Sequence, residues 1–179
     1  MSEGDLAGTD GGARVVHYAP SAAAVAPPAA ASSLMAARED ECTAIMPPGQ
    51  PDSLPSASPP PAPRLSVSFR NSYTSNVKVA IIRYDPAACG EHGIWATAGW
   101  WRLEPGQQVL AFKTSNRYIG FYAKAEDDAV WDGQYGPAFI YPEDFQSCVA
   151  IETEEPCETV GMRLADIGSS GVIINLTQG

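Results

Sequence analysis

Between residues 65 and 177 the apolar positions recur mostly at every second residue. In LSVSF (65–69), Leu65, Val67 and Phe69 fall on one face and two serines on the other, the pattern of a half-buried strand. NSYTSN (71–76) is turn chemistry, and VKVAIIRY (77–84) is rich in β-branched residues and reads as a central strand. After a loop, DPAACGEHG (85–93), extended structure resumes at 94–102. Pro105-Gly106 suits the two central positions of a type II turn. Further strands are predicted at QVLAF (108–112), RYIGFYAKA (117–125) and AVW (129–131), the last two joined as a hairpin by Glu126-Asp127-Asp128. PAFIY, FQSCVAI, ETVGMRL and GVIINLT complete the set. No segment sustains a helical apolar period. Eight or nine short strands with regularly spaced turns predict an all-β fold, an antiparallel β-sandwich or flattened barrel.

Composition divides the chain near residue 64. Residues 1–64 hold 11 of the 16 prolines and a single aromatic, Tyr18. Such a segment buries too little surface to offset the ordering entropy of about 1–2 kcal/mol per residue. Residues 1–64 are therefore expected to be a disordered Ala/Pro-rich leader or linker, and 65–179 the β-sandwich domain. Both parts are acidic, and the net charge is −10. Nucleic-acid binding requires cations against phosphates, and no basic run or stripe is present. No apolar stretch is long enough to span a bilayer, and the acidic start MSEGDLAGTD lacks the basic region of a signal peptide. A cytoplasmic location is expected, with export the alternative if the true start lies elsewhere. On that basis the four cysteines are expected to be reduced. In an oxidising compartment Cys148 and Cys157, flanking VAIETEEP, are the pair that would close a disulfide loop.

Several of these segments together resemble a bacterial family of small β domains, domain of unknown function 1036. The likeness rests on Phe69-Arg70-Asn71, VAI (79–81), WATAGWWRLEPG (95–106), RYIGFYAKA and VWDG (130–133), and covers roughly 69–177. Its most specific element is Gly-Trp-Trp-x-Leu-x-Pro-Gly. The resemblance implies a small β domain, often exported and cysteine-bearing in other members, with no established activity or cofactor. Where members tend to carry cysteines, this chain has Arg70, Gln107 and Ile140, which implies folding without disulfides.

Catalytic signatures are sparse. His92 is the one histidine after residue 64 and sits in a glycine-bracketed loop three residues from Cys89. Cys89 and His92 with Cys148 and Cys157 make a four-ligand zinc set on paper, but the spacing of the second pair departs from zinc knuckles. P-loop, dinucleotide-binding and HExxH motifs are absent. Glu126, Asp127, Asp128 and Asp132 offer the oxygen donors calcium favours, without the spacing of an EF-hand. No cofactor is expected beyond that calcium candidate.

Aromatic residues carry the remaining signal: Trp95, Trp100, Trp101, Tyr122 and Trp131 are the candidate binding residues. Trp100 and Trp101 point to opposite faces of a regular strand. Trp95 shares the face of Trp101 unless Gly99 introduces a bulge. The reading is a non-catalytic recognition or interaction module on a flexible tether, its partner a protein or small ligand and not nucleic acid. The alternatives are a structural protein that self-associates through sheet edges and a metal- or carboxylate-dependent enzyme.

Overall fold

A computed structural model describes residues 8–10, 12–21, 64–151 and 156–178. Twelve strands occur among them: β1 Gly8–Asp10, β2 Ala13–Tyr18, β3 Leu65–Ser72, β4 Val77–Tyr84, β5 Trp95–Leu103, β6 Gln108–Thr114, β7 Tyr118–Ala125, β8 Val130–Trp131, β9 Tyr135–Ile140, β10 Phe145–Cys148, β11 Glu158–Asp166 and β12 Val172–Thr177. A one-turn helix, α1 (Pro86–Cys89), interrupts the loop after β4, capped by the Asp85 carboxylate on the Ala88 amide. The expected all-β sandwich is present. One sheet runs β1-β2-β12-β3-β6, and the other runs β10-β5-β4-β7-β11-β9 with β8 hydrogen-bonded to β7.

The main core lies between the sheets. Val67, Phe69, Ile174 and Leu176 of the first sheet meet Val77, Val79, Ile81, Phe121 and Trp131 of the second. The second sheet also curls, so that its other face encloses a smaller core of Ala80, Trp100, Tyr122, Ala138, Ile140, Val160 and Met162. This double demand explains why β4 and β7 are apolar at consecutive positions: Val79, Ala80 and Ile81 are all fully buried, as are Phe121 and Ala123.

Two features differ from the sequence expectations. The first sheet is mixed, because β12 pairs in parallel with both β2 and β3. The folded unit also reaches past residue 64: Ala13–Tyr18, assigned to the leader, is a strand of that sheet. It is fastened to the second sheet as well. Trp131 Nε1 donates to the Tyr18 carbonyl at 2.8 Å, Arg163 Nη1 to the Ala19 carbonyl at 2.8 Å, and the Ser21 amide to the Val130 carbonyl at 2.7 Å. Tyr18 packs edge-on against Phe121, with ring centroids 5.0 Å apart. The short apolar pattern of ARVVHY was outweighed by the proline-rich chain that follows it. Residues 22–63, for which disorder was expected, lie outside the described residues, as does Cys42.

The cysteines form a third departure. Cys89 and Cys148 are disulfide-bonded, with Cα atoms 5.6 Å apart, and no described cysteine is free. Cys157 is likewise disulfide-bonded, so the expected Cys148–Cys157 loop and the reduced thiols are both overturned. Strand pairing is the reason. β10 lies antiparallel on β5 with Cys148 opposite Ala96, which brings Cys148 beside the end of α1, 59 residues away in sequence.

Asn71 is a wholly buried polar residue with every group satisfied. Its Nδ2 donates to the Ser75 carbonyl (2.9 Å) and the Leu103 carbonyl (3.0 Å), and its Oδ1 accepts from the Tyr73 amide (2.9 Å). Its amide donates to the Gln107 carbonyl, and its carbonyl accepts from the Gly106 amide. It thereby ties the β3–β4 turn to the Pro105-Gly106 turn, where Gly106 has the positive φ (81°) of the expected type II geometry.

Asn71→Ala removes the side-chain partner of the buried Leu103 carbonyl and of the part-buried Ser75 carbonyl and Tyr73 amide. Denaturant titration is expected to show a loss of about 2–4 kcal/mol, against little change for the exposed Ser115→Ala. Cleaving Cys89–Cys148 by Cys89→Ala should cost about 4 kcal/mol by the loop-entropy relation. Peptide mapping of unreduced protein should recover the Cys89–Cys148 linked pair.

Candidate binding groove

One irregularity in β5 decides which tryptophans share a face. Val79 faces Trp101 across the β4–β5 ladder, while Ala80 faces Gly99, leaving Trp100 as the extra residue of a β-bulge. Trp101 turns to the main core against Phe112, and Trp100 turns to the small core with Tyr122 and Phe145 around it. The bulge also breaks the parity that would have put Trp95 with Trp101. Trp95 packs instead on Tyr84, its opposite number in β4. Gly99 is required here because a Cβ at that position would lie 2.7 Å from the Phe145 ring.

None of the five candidate aromatics is an exposed platform. Trp131 is fully buried, Trp100 and Tyr122 are more than nine-tenths buried, and Trp95 and Trp101 are half-buried. The most exposed aromatics are Tyr84, Tyr118 and Tyr135. Of the five, Trp100 and Tyr122 line a groove. They form the floor, with Ile140, of an open groove of about 650 Å³ over the curled sheet. The Trp100 indole is held in place by its Nε1 donating to the Tyr141 carbonyl at 2.8 Å.

Charged residues surround that apolar floor. Lys78 Nζ stands 4.2 Å from the centroid of the Trp100 ring, in cation–π geometry. Arg102 and Lys124 flank it, and Glu104, Glu126, Asp128 and Glu158 complete the charged lining. Burial pushes the Tyr122 hydroxyl up to about 12, with the negative charges of Glu158 and Asp132 adding to the effect. Tyr122 is therefore neutral at pH 7, offering the groove a hydroxyl. The lining contains no cysteine, serine, threonine or histidine. What it offers is ionic and apolar contact. The aromatic floor was within reach of the sequence; the cationic wall was not, since Lys78, Arg102 and Lys124 lie on three separate strands.

The four calcium candidates do not converge. Glu126 accepts from Asn76 Nδ2, Asp128 pairs with Lys124 at 3.0 Å, and Asp127 accepts from Tyr73, Ser75 and the Ala129 amide. Asp132 lies beyond β8, where its backbone engages Ser21 and Arg163. Among the described residues no three acidic, histidine or cysteine side chains form a metal-holding group. The zinc arrangement is closed off at Cys89 and Cys148, which are bonded to each other. Tyr73, which packs edge-on to Trp131, instead uses Asp127 to lock the β7–β8 hairpin onto the β3–β4 turn.

Comparisons with protein-family models, curated proteins and solved structures return no match to this chain. Among the described residues no helix is long and apolar enough to cross a membrane.

Partial desolvation pushes the Asp127 carboxyl up, but the hydrogen bonds from Tyr73, Ser75 and Ala129 outweigh it and hold it below its ordinary value. A carboxyl depressed in the folded state stabilises above its unfolded pKa, and that contribution is lost as pH falls through the folded value. Thermal melting below about pH 4 should therefore decline less steeply in Asp127→Asn than in the wild type. Equal slopes would show that this contact is not part of the acid response.

Proposed function

We propose that this chain is a non-catalytic recognition module whose contact surface is the groove over Trp100 and Tyr122. The observation that carries the reading is the combination of an aromatic floor with a cationic wall at Lys78. A groove of about 650 Å³ falls within the range of small-ligand sites. Its floor is fixed by the Trp100–Tyr141 hydrogen bond and by packing against Phe145, so little ordering is required when a partner arrives. The Cys89–Cys148 bond favours an oxidising compartment over the cytoplasm expected from the sequence. That placement agrees with the resemblance to domain 1036, whose members are often exported. Residues 22–63, by their composition, supply a tether of Ala/Pro-rich chain between the first and second parts of the folded unit.

Self-association through sheet edges has one observation in its favour. Strand β6 is the last strand of the first sheet, and its Leu110 is 55% exposed. The groove involves a different sheet, so the two readings separate by mutation.

Filling the groove tests the recognition reading without altering its charge. Gln107→Trp places a large side chain in the lining at an exposed position, and Lys113→Trp does the same on the outer edge strand β6. Partners captured from the native host by wild type are expected to be lost with Gln107→Trp and kept with Lys113→Trp, both variants melting within a few degrees of wild type. The opposite pattern would move the contact surface to the β6 edge.

A further inference from the structure

Three cations stand side by side across the curled sheet. Lys78 on β4 is in direct register with Arg102 on β5 and with Lys124 on β7, and all three line the groove. Directly opposed residues on neighbouring strands have Cβ atoms about 4.5–5.5 Å apart, and like charges so placed destabilise the sheet. Basic composition does not account for the row, because the chain carries 11 Lys and Arg against 21 Asp and Glu.

The outer two cations are neutralised from the periphery. Arg102 pairs with Asp144 at 2.6 Å and Lys124 with Asp128 at 3.0 Å. Both acids are exposed, at 66% and 84%, and exposed pairs of this kind contribute only about 0–1 kcal/mol. An incoming anion can therefore replace either acid at small cost. The middle cation has no such partner. Among the described residues no carboxylate pairs with Lys78, which is half-buried and rests on the Trp100 ring. A half-buried lysine between two further cations, above an apolar floor, is a seat for a negative group.

The remaining acids limit what that group can be. Glu126 is engaged by Asn76, while Glu104 and Glu158 stand on the groove walls. Their charge repels a dense polyanion and leaves room for a single anionic head. Resting on the recognition reading above, we propose that the groove binds an amphipathic organic anion. Its carboxylate, sulfonate or phosphate head sits at Lys78 between Arg102 and Lys124, and its apolar body lies against Trp100 and Ile140. The Tyr122 hydroxyl is the neutral donor available beside the head.

Two fluorescent probes of similar body separate charge from apolar contact: 8-anilinonaphthalene-1-sulfonate and the uncharged N-phenyl-1-naphthylamine. Titrated into the full chain, the sulfonate should bind saturably at one site. Lys78→Gln should weaken it about tenfold, the loss expected for one charge-assisted contact, while the neutral probe binds as it does to wild type. Lys124→Gln should weaken the sulfonate as well, and Lys113→Gln on β6 should not. Melting curves of each variant confirm that the fold is retained. If both probes bind equally to wild type and Lys78→Gln, the anion assignment is overturned while the groove remains a recognition surface. If neither probe binds wild type, both readings fall.

Discussion

Strand β4 has to be covered on both faces, and the rest of the molecule is arranged to do it. Val77, Val79 and Ile81 point one way and Ala80 and Ile82 the other, and all but Ile82 are buried. Covering a valine or isoleucine is worth about 1.5–3 kcal/mol, so leaving either face open would forfeit much of a small domain's stability. The first sheet covers one face. No third sheet exists for the other among the described residues, so the second sheet covers it by curling until β9 and β11 return over β4 and β5. Two cores of unequal size follow from one doubly apolar strand.

The bulge in β5 sets what faces the curl. A regular β5 would already send Trp100 and Trp101 to opposite faces; with Trp100 as the extra residue, Gly99 joins it on the face of Ala80, where the missing Cβ lets the Phe145 ring approach. The same bulge sets Trp100 at the mouth of the curl, where its ring both closes the small core and floors the groove. Structure and candidate function thus share one side chain. Substitution of Trp100 would confound the two, and the groove is better probed through the residues around it.

Local order was legible in the sequence and partnership was not. Alternation located nearly every strand after residue 65, Pro105-Gly106 announced its turn, and Gly99 announced the bulge. Each of those signals lies within a few residues of what it specifies. The pairing of β2 with β12, by contrast, joins opposite ends of the chain, and only the register reveals it. Cys148 chose Cys89 over the nearer Cys157 because β10 adds to β5, a fact about the sheet and not about spacing. The acidic cluster 126–132 illustrates the reverse error. Proximity in sequence brought four carboxylates together on paper, whereas Glu126, Asp127 and Asp128 each turn toward a different partner and Asp132 lies beyond the hairpin. Lys78, Arg102 and Lys124 escaped notice for the same reason that Cys89–Cys148 did: each is unremarkable on its own strand.

The cation row is hard to account for as structure alone. Edge strands use lysine to discourage unwanted pairing, but β4 is hydrogen-bonded on both sides, to β5 and β7, so Lys78 guards no edge. Surface charge for solubility is already provided by the acidic excess, and a cation between two cations adds repulsion to it. The cation–π contact with Trp100 holds the Lys78 ammonium in place, but it does not call for Arg102 and Lys124 on either side. What the arrangement does provide is a charge-complementary seat where an apolar floor, a neutral hydroxyl and open volume meet. Asp144 and Asp128 hold the two flanking cations in position without entering the lysine's own coordination. Among the described residues Lys78 has the Trp100 ring and no paired carboxylate, and the proposed anion would complete the site.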